Sequence, residues 1–128
     1  MLSPNKDLEN IFERAVSLAS KHKHEYLTLE HFLHSLVTDK KFAELLDNFG
    51  ANTEDLKKNL EHHISTNLNE IVVEDNKEKP KKTNSVDRML NRAFTQVLFS
   101  GRNLIEPIDC FLSMFAEKKS YAIYFMKM

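Results

Sequence analysis

Leu8-Glu9-Asn10-Ile11-Phe12-Glu13-Arg14-Ala15-Val16-Ser17-Leu18-Ala19 is the stretch on which the fold turns, because the chain contains it twice in altered form. The offset that carries Leu8 onto Val86 also carries Ile11-Phe12 onto Met89-Leu90, Arg14-Ala15 onto Arg92-Ala93 and Ala19 onto Val97. Further along it brings Tyr26-Leu27 onto Leu104-Ile105, Phe32-Leu33 onto Cys110-Phe111 and Leu36-Val37 onto Met114-Phe115. Apolar positions coincide while polar positions drift, as in a duplicated core whose buried face is constrained and whose solvated face is not. Within each copy the apolar residues follow the i, i+3, i+4, i+7 spacing of an amphipathic helix. Two copies predict one compact all-α domain with an internal pseudo-two-fold and a groove where the copies meet.

Bulk properties narrow the function classes. The chain has 128 residues, is 41% hydrophobic and 29% charged, and carries a net charge of −1. That length is enough for one domain with its own core. The near-neutral balance offers no field for nucleic acid or an anionic membrane. No apolar run reaches the ~18 residues of a membrane span, and Met1 to Asp7 has no apolar signal-peptide core, so the expected compartment is the cytoplasm. The one cysteine, Cys110, excludes an intrachain disulfide and reads as a small core residue. Only Gly50 and Gly101 are glycines, so the chain has no Walker loop, no dinucleotide-binding turn and no nucleophile elbow.

The helical pattern is punctuated clearly. Ser3 is expected to cap a first helix with Pro4 at its first position, and the polar stretch Lys21-His22-Lys23-His24-Glu25 ends it. Thr28 caps a second helix bearing Phe32, Leu33, Leu36 and Val37. A third bears Phe42, Leu45, Leu46 and Phe49, with Gly50 stopping it in a left-handed conformation. Asn52 or Thr53 caps a fourth, with Leu56, Leu60 and Ile64. Between Ser65 and Asn84 the pattern breaks; Leu68 to Val73 suits extended backbone, and Glu74 to Lys82 reads as a solvated linker. Ser85 is expected to cap a fifth helix closed by Gly101. Glu106-Pro107 starts a sixth with Ile108, Phe111, Leu112 and Phe115, and Tyr121, Ile123, Tyr124 and Phe125 suit a seventh. The expected organisation is therefore a single domain over 1–128: repeat one at 3–66, a charged linker at 67–84, and repeat two at 85–128. Each repeat has about four helices, the second without a counterpart of the helix at Thr53 to Thr66. Either the fold closes without that helix, or an apolar surface near Tyr121 to Met128 stays open and suits a partner or a weak homodimer.

Chemistry has little purchase on this sequence. All six histidines, His22, His24, His31, His34, His62 and His63, lie in the first half. An H-x-x-H pair at His31 and His34, or His22 and His24 beside Glu25, falls short of the three or four tetrahedral ligands zinc takes, so no metal site is expected. Asp39, Asp47 and Asp55 sit at helix edges as caps, and no nucleophile is paired with a base, so no catalytic residue or cofactor is expected. The stretch Lys77 to Lys82 contains Glu78, follows Glu74-Asp75 and has no interleaved aromatics, which suits a solvated linker better than nucleic-acid binding. Most of the phenylalanines are core at helical spacing. Phe99, Met126 and Met128 fall where the pattern is less forced and suit either packing or a groove for apolar peptide segments.

The segment His22-Lys23-His24-Glu25-Tyr26-Leu27-Thr28-Leu29-Glu30-His31-Phe32-Leu33 resembles the N-terminal domain of Clp unfoldases. Ser100-Gly101-Arg102-Asn103-Leu104-Ile105-Glu106-Pro107 is similar to the opening of that domain's second repeat, in the ClpA flavour. The resemblance covers Leu8 to Phe125. It implies a non-catalytic receiving module that in the family precedes AAA+ ATPase modules, which are absent here, and docks a ClpS-type adaptor or a protein substrate for the ATP-dependent unfoldase–protease. By residue-by-residue match the adaptor surface would comprise Glu25, Glu30, Thr83 and Arg88, with further contacts from His24 and Tyr26. Glu25 and Glu30 flank a helix N-terminus, where the dipole favours carboxylates, and are expected to be exposed; the alternative for Glu30 is that it only caps its helix. The alternatives are a free-standing decoy or regulator that competes with a Clp unfoldase for its adaptor, and a homo-oligomerising helical module.

Overall fold

The computed structural model describes residues 2–66, 68, 71–73 and 79–117. Among the described residues, six α-helices and four two-residue strands follow in the order β1 (Ser3–Pro4), α1 (Lys6–Lys21), β2 (Tyr26–Leu27), α2 (Leu29–Thr38), α3 (Lys40–Asn48), α4 (Thr53–Thr66), β3 (Lys81–Lys82), α5 (Asn84–Phe99), β4 (Leu104–Ile105) and α6 (Pro107–Met114). The expected all-α class is what the described residues form. The seventh helix expected around Tyr121 to Phe125 lies outside them, as do Met126 and Met128.

Helix α1 packs on α2 and α5 on α6, while α2 also carries α3 and α4. The offset seen in the sequence relates the elements as well. It takes β1 onto β3 and β2 onto β4, and the parallel pairs formed are β1 with β4 and β2 with β3. Each copy thus lends a strand to the other, and neither pair exists without both. The larger of two buried clusters among the described residues crosses the same boundary, from Leu8, Ile11, Phe32 and Leu36 to Val86, Met89, Cys110 and Met114. At ~25 cal/mol per Å² of apolar surface, burying such side chains contributes roughly 1.5–3 kcal/mol each.

The repetition extends to polar detail. Ser35 on α2 and Ser113 on α6 are equivalent and both buried. Arg14 on α1 bonds Asp39 at 3.0 Å, and its equivalent Arg92 on α5 bonds Glu117 at the same distance. Lys23 and Gly101, also equivalent, both have positive φ, at 58° and 77°. The His22 to His24 turn that contains Lys23 closes α1 with His24 N–H donating to Ala19 O and Lys23 N–H to Ser20 O, the Schellman pattern.

Three local expectations are corrected. Asn5, not Ser3, caps α1, its Oδ1 accepting the Leu8 N–H at 2.9 Å, because Ser3-Pro4 is extended as a strand against Leu104-Ile105. Thr83, not Ser85, caps α5. This is the position equivalent to Asn5, and β3 fixes the chain so that helix can begin immediately after it. Phe115, expected in the core, is 40% exposed. Phe99, which suited either packing or a groove, is 85% exposed. The other punctuation holds: Thr28 caps α2, Asn52 Oδ1 accepts from the Asp55 N–H at the start of α4, Gly50 follows α3 at φ 91°, and Pro107 opens α6.

Candidate functional site

The segment from Lys23 to Leu27 is clamped on both sides. Glu25 N–H donates to Ile71 O and Val73 N–H to Lys23 O at 2.6 and 2.8 Å, while Lys81 N–H donates to Glu25 O and Thr83 N–H to Leu27 O at 2.9 and 3.2 Å. The register sets Tyr26 opposite Lys81. Glu25 and Tyr26, from the first repeat, therefore share an edge with Thr83, which opens the first helix of the second. The Thr83 hydroxyl is engaged as cap, accepting the Val86 N–H at 3.3 Å.

Arg88 lies just beyond the first turn of α5 and is not a free cation. Its guanidinium donates from Nη2 to Glu117 Oε1 at 2.6 Å and to the Ser85 hydroxyl at 3.1 Å. Arg92 completes the clamp on Glu117 and also donates to Ser113 O at 2.8 Å. The hydrogen bond from Arg88, followed by that from Arg92 and set against the cost of burial, holds the Glu117 carboxyl down to about 2, and the same contact raises Arg88. Sequence reading missed Glu117. Its signal was there, because it occupies the position equivalent to Asp39, the partner of Arg14.

Two of the expected site residues are not presented to solvent. Glu30, expected to be exposed, is only 7% exposed, since its place in the first turn of α2 faces the protein rather than the rim. His24 is 1% exposed. Its ring stacks on His22 with centroids 5.4 Å apart, and its Nδ1 lies 2.8 Å from His31 Nε2. His31 in turn forms a capping box with Thr28, whose N–H donates to His31 Nδ1 at 2.9 Å. Burial is the main reason that both imidazoles resist protonation, His31 being lowered to about 3 and His24 also being lowered. His34, the other half of the H-x-x-H spacing, instead bonds Glu61 on α4 at 3.1 Å. His24, His31 and His34 thus serve as packing and hydrogen-bonding groups.

Beside the rim runs an apolar groove where the copies meet. One part, of about 680 Å³, has Phe12, Val16, Leu27 and Pro80 for its apolar lining and Glu13, Lys79 and Lys82 around it. The other, of about 320 Å³, is lined chiefly by Leu8, Phe12, Leu90, Phe94 and Ile105, and Lys82 and Phe12 belong to both. Phe12 and Leu90 are equivalent in the two copies, as are Val16 and Phe94. The groove is the duplication made concave.

The sequence profile of the Clp repeat (R) N-terminal domain matches residues 3–128. A ClpA homolog protein of Fuscovulum blasticum is 32% identical over 120 residues, which cover 94% of this chain but 15% of that protein. The chain therefore spans a small part of the curated relative it matches. The Hsp104 N-terminal domain from Candida albicans superposes with a TM-score of 0.81 at 13% identity, covering 95% of this chain and 79% of that one. A structure described as belonging to a malarial protein secretion system superposes with a TM-score of 0.76 at 17% identity, covering 88% and 76%. These two share the fold.

Proposed function

The chain belongs to the Clp repeat N-terminal domain family, and from that premise we propose that it is a docking domain of an ATP-dependent Clp unfoldase–protease system, receiving a ClpS-type adaptor or a protein substrate. Its 128 residues hold no AAA+ module, and the proposed mechanism is binding without catalysis. The proposed division is repeat one at 3–66, a connection at 67–84 and repeat two at 85–128. The proposed setting is the cytoplasm; no helix among the described residues is long and apolar enough to cross a membrane.

The observation that carries this reading is the pairing of β2 with β3. It gathers Glu25 and Tyr26 beside Thr83, with Arg88 on the adjoining turn of α5. Glu25 and Tyr26 offer a carboxylate and a phenol on this edge, with the capping Thr83 hydroxyl beside them and the Arg88 guanidinium, paired with Glu117 but 56% exposed, on the adjoining turn, a set suited to polar recognition of a folded adaptor. The adjoining groove, with Phe12, Val16 and Leu27 lining it, suits an apolar segment of a protein substrate. Glu30 is buried in the first turn of α2 and is not among the groups this edge presents.

Calorimetric titration with a purified ClpS-type adaptor tests the proposal. The informative variant is Glu25→Arg, because Glu25 is half-exposed whereas a substitution at Glu30 disturbs a buried position. Reversing this charge is expected to weaken binding by about tenfold or more, with an unchanged thermal midpoint. Arg88→Gln is expected to weaken binding too, but with some loss of stability through Glu117. An adaptor that does not bind the wild-type chain removes the adaptor from the function and leaves direct capture of protein segments. Because these 128 residues hold no AAA+ module, an excess of them that binds the adaptor is expected to slow adaptor-dependent degradation by an intact unfoldase–protease.

A further inference from the structure

We propose that the buried pair His24–His31 is an acid-sensitive latch that holds the β2 strand and the first turn of α2 in place, and that protonating either ring opens this junction. The hydrogen bonds fix the tautomers. His31 Nδ1 lies 2.9 Å from the Thr28 backbone nitrogen and 2.8 Å from the Thr28 hydroxyl. A backbone N–H can only donate, so Nδ1 carries a lone pair and the ring proton sits on Nε2. That proton points at His24 Nδ1, 2.8 Å away, which must accept and so places the His24 proton on its own Nε2. Both rings are neutral, and every polar position between them is committed.

Adding a proton has no harmless place to go. On His31 Nδ1 it confronts the Thr28 N–H and breaks the capping box of α2. On His24 Nδ1 it confronts the Nε2–H of His31. The surroundings offer little to steady a charge. His22 at the end of α1 stacks on His24, His34 faces His31 from α2, and His63 faces it from α4. Each of these, when itself protonated, repels a further positive charge. Glu30 acts on His63 in the opposite sense, while the Lys81 and Lys82 side chains of β3 are exposed. The backbone neighbour on the remaining side is Val72, bridged to His24.

The second repeat contains the natural control. The positions equivalent to His24 and His31 are Arg102 and Asp109. Asp109 Oδ2 accepts the Glu106 N–H at 2.8 Å as His31 Nδ1 accepts the Thr28 N–H, and Arg102 Nη2 meets Asp109 Oδ1 at 2.6 Å. The same junction is thus built once from two neutral imidazoles and once from an ion pair. Guanidinium and carboxylate groups as classes keep their charges between pH 7.5 and 5, whereas an exposed histidine titrates near 6.5. The sign is definite. Closed-state affinities for protons lie below the open-state value, so the latch holds fully above about pH 6.5 and weakens as pH falls below it. Glu25, Tyr26 and Glu30 lie on or against the latched segment, so opening dismantles the proposed adaptor edge; the latch itself stands independently of any partner.

Amide hydrogen exchange of the unliganded chain, corrected for intrinsic rates, reads both junctions in one sample. Protection of the Thr28 and His31 amides is expected to fall about thirtyfold between pH 7.5 and 5, one histidine's worth of proton uptake, while that of the Glu106 and Asp109 amides is unchanged. The doubly substituted His24→Arg, His31→Asp chain, which copies the second repeat, is expected to lose this dependence. Imidazole nitrogen shifts provide a second readout and should show both rings protonated on Nε2 at neutral pH. Equal behaviour at the two junctions, no loss of protection in the wild type, or an Nδ1-protonated His31 overturns the latch. If the double variant does not fold, the comparison between the two wild-type junctions still decides.

Discussion

Lys23 stands at φ 58°, where a side chain beyond glycine costs roughly 1–2 kcal/mol, and its equivalent Gly101 meets the same backbone demand without that cost. Lys23→Gly is expected to stabilise the chain by about 0.5–1 kcal/mol after the added freedom of the unfolded glycine is counted. An upward shift of the thermal midpoint checks it, and a downward shift would mean that the lysine side chain contributes more than the strain costs. Gly101 could be read as a helix stop from its identity, whereas Lys23 carries no such mark, since φ preference is written in glycine and asparagine rather than in lysine. Glu117 was hidden for a related reason: a lone glutamate past the end of a helix looks solvated until the Arg14–Asp39 pair is carried across the offset. Glu117→Gln leaves the Arg88 and Arg92 guanidinium groups facing a weaker acceptor, and is expected to lower the midpoint by about 3–6 °C. With the Glu117 carboxyl held at about 2, its contribution is full above the ordinary carboxylate range near pH 4.5 and disappears as pH falls through 2. Thermal melts at pH 7 and pH 2.5 should therefore show a smaller gap between variant and wild type at the lower pH.

At the level of elements, the helices were legible because their apolar spacing repeats and their ends carry capping chemistry. Thr28, Gly50 and Glu106-Pro107 did what their residue types predict. The strands were not legible, since two residues cannot display a period of two and their specification lies in the partner repeat. That hidden pairing also displaced the expected caps. Thr83, Asn84 and Ser85 are all competent to cap, and only the chain direction imposed by β3 selects Thr83. Thr83→Ala is accordingly expected to cost about 1 kcal/mol, while Thr83→Ser costs a few tenths at most. Urea unfolding of the pair separates the capping role of Thr83 from its proposed part in docking, because Thr83→Ser keeps the hydroxyl and should keep adaptor affinity as well. A Thr83→Ser chain as unstable as Thr83→Ala would show that the methyl group, not the cap, matters. The proposed docking edge was half legible for the same physical reason. Glu25, Tyr26 and Thr83 adjoin through the strand pair, but burial of Glu30 and His24 depends on how α2 is rotated against its neighbours, which the sequence pattern does not state.

For the molecule as a whole, duplication raises the question of whether each copy folds as a unit. The sequence offset suggests two like halves, yet the structure distributes the means of stability across them. β1 pairs with β4 and β2 with β3, and the buried cluster continues from Leu8 and Ile11 into Val86 and Met89. A repeat excised at residue 66 would leave β1 and β2 without partners and expose the apolar face that α1 now buries. Fragment 3–66 is therefore expected to lack a cooperative unfolding transition. In the intact chain, Ile11→Ala and Met89→Ala each create a cavity in the shared cluster and should cost about 2–5 kcal/mol. Both should move one common transition to lower urea without splitting it, whichever repeat carries the substitution. Tyrosine fluorescence and far-ultraviolet dichroism, followed in the same titration, should stay coincident in both variants. A transition that divides in one of them would mean that the copies are two cooperative units joined by strand exchange, and the groove between them an adjustable seam rather than part of a rigid core.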